Sequence, residues 1–230
     1  MTRVGLIGGT SYLATLGYYK ALNEVVYERT GGNDLADCVI FSVNFGELER
    51  RRKEGNLDRV LPLFQEAAVA LKGAGAEALA ICANTPHRWA DKISGAAGLP
   101  LIHIGEATAR RAAALGYQRV ALLGTRFTME EPFIREKFEQ AGLAVVIPVE
   151  PDRTFIDDSI FNELTHDLFS APTRVRYLKI IATMAAQGCD CAALACTEIP
   201  LLLDGCETSI PSLDTMRIHV DSIADVMLNQ

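Results

Sequence analysis

Short apolar runs of four or five residues alternate along this chain with longer stretches in which apolar positions recur every three or four residues. Short apolar runs match strands covered on both faces, and the longer spacing matches helices with one buried side. The runs place strands at residues 4–7, 38–42, 78–82, 101–104, 120–123, 144–147, 191–195 and 209–213. Helices are expected over 15–30, 57–72, 106–115, 130–140 and 173–187, each followed within two residues by a glycine. Glycine readily takes the left-handed conformation that closes a helix. Strands alternating with helices predict an α/β fold with mostly parallel sheets.

The pattern repeats. Arg3-Val4-Gly5-Leu6-Ile7-Gly8-Gly9 matches Arg119-Val120-Ala121-Leu122-Leu123-Gly124-Thr125, and Leu79-Ala80-Ile81-Cys82-Ala83-Asn84 matches Ala192-Ala193-Leu194-Ala195-Cys196-Thr197. Two similar α/β halves follow. Each half has a first strand ending in glycine and a later strand ending in polar residues, so both are expected to present strand ends to a shared crevice. Small molecules bind outside the carboxyl ends of parallel strands and between domains.

Composition narrows the partners. The 230 residues are 49% hydrophobic and 22% charged, with a formal net charge of -7, which disfavours nucleic acid. No apolar run is long enough to span a bilayer, and the chain enters its first strand without the apolar segment of a signal peptide. A cytoplasmic protein without membrane contact is expected. The six cysteines are too sparse for a disulfide framework. Neither Cys189-Asp190-Cys191 nor the four histidines have metal-ligand spacing, so no metal is predicted.

Candidate chemistry lies at the strand ends. Gly8-Gly9-Thr10-Ser11 reads as a tight turn able to hold a carboxylate on backbone N–H groups. Thr125 and Thr128 either donate hydroxyls to a ligand or cap the following helix. Asn84-Thr85 and Thr197-Glu198 likewise either cap or face the crevice. Cys196 stands before Thr197, where a nearby helix N-terminus would favour the thiolate, and it is expected to lie open to the crevice and to ionise readily. Arg50-Arg51-Arg52-Lys53 reads as solvated helix surface or as a source of one carboxylate clamp. His87, His103 and His219 read as structural, with no identifiable partners.

These residues resemble the aspartate/glutamate racemase family of cofactor-independent amino-acid racemases. The opening GLIGGTSYLATLGYY, Ala83-Asn84-Thr85 with His87, Gly124-Thr125-Arg126-Phe127-Thr128-Met129, Ala195-Cys196-Thr197-Glu198-Ile199 and Asp214-Thr215 through His219 match its motifs in order. The resemblance implies two pseudo-symmetric domains, here residues 1–104 with 211–230 and residues 105–210, often in a homodimer. It implies no cofactor, and an acidic amino acid or dicarboxylate as the small-molecule partner. It also implies one cysteine from each half working on opposite faces of the α-carbon. Cys196 takes one of those positions, while Thr10, Ser11, Arg52, Asn84, Thr85, Thr125, Thr128, Thr197 and Glu198 take substrate-binding ones.

The chain departs from the family at Ala83, the position of the other cysteine. A methyl group neither gives nor takes a proton, and Cys82 is expected to point into the core because neighbouring strand residues face opposite ways. Leu13 and Ala14 also replace the acidic and hydroxyl residues common there. Three functions remain open. The first is a racemase in which water or another group serves the Ala83 face. The second is a one-thiol lyase or one-sided exchange catalyst like the arylmalonate decarboxylases. The third is a catalytically silent dicarboxylate-binding protein or active-site variant.

Overall fold

The structure, a computed structural model, describes residues 1–53 and 57–230. It divides into two units, Met1–His103 with His219–Gln230, and Ile104–Ile218. In the first, β1 (Val4–Gly8) leads to α1 (Tyr12–Thr30), β2 (Cys38–Ser42), α2 (Phe45–Lys53), a 3-10 turn (Leu57–Val60) running into α3 (Leu61–Gly73), and β3 (Ala78–Ile81). A second 3-10 turn (Thr85–Trp89), α4 (Ala90–Ala97) and β4 (Leu101–Ile102) complete it. The second unit runs through α5 (Ile104–Ala114), β5 (Arg119–Gly124), α6 (Arg126–Glu130), α7 (Pro132–Gln140) and β6 (Ala144–Val146). It continues with α8 (Asp152–Asn162), a 3-10 turn (Leu164–His166), α9 (Ala171–Ala186), β7 (Cys191–Ala195), α10 (Ile199–Leu202) and β8 (Ser212–Asp214). The last helix, α11 (Thr215–Leu228), starts in the second unit and ends in the first.

Each unit holds a four-stranded parallel sheet, in the orders β2-β1-β3-β4 and β6-β5-β7-β8. The α/β expectation with duplicated halves holds. Every residue of β1, β3 and β7 is buried, as the apolar runs required of strands covered on both faces. The period of two is visible in β5, where Ala121 and Leu123 join one core with Ile156, Ile160 and Tyr177, while Val120 and Leu122 join another with Ile134 and Phe138. Full burial of side chains this size contributes roughly 1.5–3 kcal/mol each.

The helix ends follow local chemistry. Ser11 caps α1 by accepting from the Ala14 N–H, and Gly31, at φ 63, closes it. Ser170 caps α9 through Thr173 N–H. The last strand begins at Ser212 rather than 209, because Pro211 has no N–H for the ladder and supplies only its carbonyl, to Ala192. Since β8 pairs with β7, residues 211–218, expected with the first half, lie in the second unit. Among the described residues, no helix is long and apolar enough to cross a membrane.

Candidate active site

In both sheets the chain leaves the first strand toward one edge and returns on the other side. The switch in direction therefore falls between β1 and β3 in the first unit, and between β5 and β7 in the second. The carboxyl ends beside such a switch are where open parallel sheets hold ligands. Gly8-Gly9 and Cys82-Ala83 stand there in one unit, Gly124-Thr125 and Cys196-Thr197 in the other. Ala83 and Cys196 occupy equivalent places two residues past matched positions of β3 and β7, Ile81 and Leu194.

In the first unit the turn after β1 is shaped by close packing. Gly9 has φ 89, and a Cβ there would lie 2.1 Å from the Val43 carbonyl oxygen. Its N–H donates to Thr15 Oγ1 at 2.9 Å, so the turn expected to offer that donor to a carboxylate spends it internally. Ser11 likewise holds the Ala14 N–H at 3.3 Å as a cap, and Thr10 beside it is half-buried. Ala83 is half-buried and packs at the edge of the core formed by Leu79, Ile81 and Trp89. Cys82 is fully buried, as expected of a residue pointing into the core, and burial pushes its thiol far up.

Asn84 is buried and Thr85 half-buried in the turn that follows. That turn is held by His87, whose N–H bonds the Asn84 carbonyl at 3.0 Å and whose Nδ1 lies 2.8 Å from the Ala83 carbonyl. A carbonyl only accepts, so Nδ1 carries the proton. The histidines do have partners. His87 lies edge-on to His103 and His219, with centroids 4.7 and 5.6 Å away. His219 Nδ1 is 2.9 Å from the Tyr18 hydroxyl, and its Nε2 is 2.8 Å from the Ile102 carbonyl. Burial lowers His87 to about 4, and burial together with the charge of His87 lowers His219 to about 3. The motifs contain His87 and His219, but nothing in the sequence brings together members that lie up to 201 positions apart.

The arginines of α2 are neutralised within their own helix. Arg50 and Arg51 both reach Glu47, and Arg52 grips Glu49 with Nε at 2.7 Å and a second nitrogen at 2.9 Å. The Arg52 fork proposed as a substrate clamp already holds a carboxylate.

In the second unit Thr125 caps α6. Its Oγ1 accepts from the Thr128 N–H at 3.3 Å and lies 3.1 Å from the Thr128 hydroxyl. Cys196 continues the face of Ala192 and Leu194, and its Sγ donates to Glu198 Oε2 at 3.1 Å. Thr197 Oγ1 donates to the same oxygen at 2.6 Å. Two expectations about Cys196 fail. It is 8% exposed rather than open, and burial reinforced by the charge of Glu198 pushes its thiol well above the ordinary cysteine range. The following helix, α10, is only four residues long and does not offset these effects. Cys196 is therefore held as a protonated thiol. The contact with Glu198, across two residues of an irregular turn, had no signature in the sequence.

The Asp/Glu/Hydantoin racemase family pattern matches residues 7–223. The chain belongs to that family. A candidate Asp/Glu racemase from Yersinia pestis is 39% identical over 99% of this chain and 100% of its own, with a TM-score of 0.91. An aspartate racemase homologue from Pyrococcus horikoshii is 30% identical over 99% and 100%, with a TM-score of 0.83. Unliganded arylmalonate decarboxylase, at 15% identity over 99% and 92% and a TM-score of 0.52, shares the racemase fold alone. Membership in this racemase family supports an isomerase.

Proposed function

We propose that this racemase-family protein exchanges the α-proton of an acidic amino acid, with Cys196 as its one thiol acid/base. The observation that carries the reading is the Cys196 thiol, held protonated against Glu198 at the switch point of its sheet. A thiol of raised proton affinity suits both directions. It delivers hydrogen to a carbanion, and the thiolate left behind is a strong base for the weakly acidic α-hydrogen. The paired hydroxyls of Thr125 and Thr128 follow the neighbouring strand end and offer a donor for a developing enediolate. A water serves the face that the absent second thiol would serve in a two-cysteine racemase.

The second reading is one-sided protonation after decarboxylation. Ala83 favours it, because a single thiol suffices when carbon dioxide rather than a proton leaves. One assay separates the two. In deuterated water the first reading expects α-deuterium and falling optical purity from either enantiomer of aspartate or glutamate. Carbon dioxide release from a panel of malonates, with one hand of product retained, would replace it with the second.

A further inference from the structure

We propose that Glu198 selects substrates bearing an α-ammonium group, which its Oε1 receives. The inference rests on the α-proton exchange proposed above and names what that site requires beside the reacting carbon. Glu198 is 3% exposed, and its two oxygens are unequally used. Oε2 accepts from both Cys196 Sγ and Thr197 Oγ1, whereas Oε1 is buried without a hydrogen-bond partner among the described residues. A buried oxygen left this way is unfavourable, and more so on a charged group. A ligand that donates to it recovers that cost, and a cation recovers most.

Geometry identifies the donor. A carbon exchanging hydrogen with Cys196 must come within roughly 3–3.5 Å of Sγ. Glu198 Oε2 is already 3.1 Å from that sulfur. Of the three groups one bond from the reacting carbon, the carboxylate repels Glu198 and the side-chain carbon offers no donor, so the α-ammonium is the one that suits Oε1 while the carbon meets the thiol. Succinate and glutarate carry the same carboxylates with no donor and leave Oε1 unpaired. The pairing also has a chemical consequence. The charge of Glu198 helps hold the Cys196 proton in place, and an ammonium ion against Oε1 offsets that charge, easing proton transfer only when an amino-bearing substrate is bound.

The test is calorimetric titration of the full chain and of Glu198→Gln with aspartate against succinate and glutamate against glutarate, with thermal unfolding to confirm that the variant folds. The wild type is expected to bind the better amino acid at least tenfold more tightly than its deaminated counterpart, and Glu198→Gln to bring that ratio close to one. A wild-type ratio within twofold overturns the inference. So does a variant that keeps the ratio, including one that weakens both ligands in equal proportion. In those cases binding of the amino acids leaves the proposed function in place. A wild type that binds none of the four ligands removes that function and the inference with it. Should Glu198→Gln fail to fold, the wild-type ratio decides alone, tenfold supporting the assignment and parity overturning it.

Discussion

Moving from pH 7 to pH 5 charges most histidines of an unfolded chain but leaves His87 and His219 neutral in the fold. Their pKa values, lowered to about 4 and about 3, lie below the ordinary 6.5. Between those limits the unfolded state binds more protons, so stability is complete above about pH 6.5 and falls as the pH drops toward the folded values. Each buried imidazole loses just under about 2 kcal/mol between pH 7 and pH 5, nearly ~4 kcal/mol for the pair. The assay is urea denaturation followed by circular dichroism at both pH values, for the wild type and for the double variant His87→Gln, His219→Gln. Asp214, whose pKa burial raises, works in the opposite direction, but it is present in both proteins and cancels. The wild type should lose about 3–4 kcal/mol more than the variant over that interval. Equal losses would show that these imidazoles are not buried as described.

Other substitutions probe the strand ends. Gly9→Ala forces a side chain onto a backbone at φ 89 and within 2.1 Å of the Val43 carbonyl. It should cost at least about 2 kcal/mol, read as a fall of roughly 4–8 °C in Tm; an unchanged Tm would contradict the geometry. Ala83→Cys restores a thiol at the place equivalent to Cys196 and should raise the racemisation rate of aspartate or glutamate at least tenfold, measured by polarimetry. No gain would show that the missing thiol is not what limits exchange.

The parts of the fold legible in the sequence are those governed by burial on both faces or by a single backbone requirement. The strands at 38–42 and 191–195 coincide with their apolar runs because nothing but side-chain character sets them. The helix over Asp152–Asn162 escaped because DRTFIDDSIFN carries four charged residues around a narrow buried face of Ile156, Ser159 and Ile160. The 3-10 turn at Thr85–Trp89 escaped because Pro86 reads as a break. At the site, residue types were legible and their states were not. Cys196 was visible as a strand-end thiol, but its protonation depends on burial and on where Glu198 turns, which no local pattern encodes. The roles of Thr125 and Ser11 as caps were an open choice that only hydrogen-bond geometry decides.

The most direct test of the account is α-proton exchange in deuterated water, followed by proton NMR on both enantiomers of aspartate and glutamate with the wild type and Cys196→Ser. The account predicts loss of the α-proton signal with the wild type and at least a hundredfold slower loss with the folded variant. Exchange that persists unchanged in Cys196→Ser, or no exchange from any of the four substrates with the wild type, would contradict it.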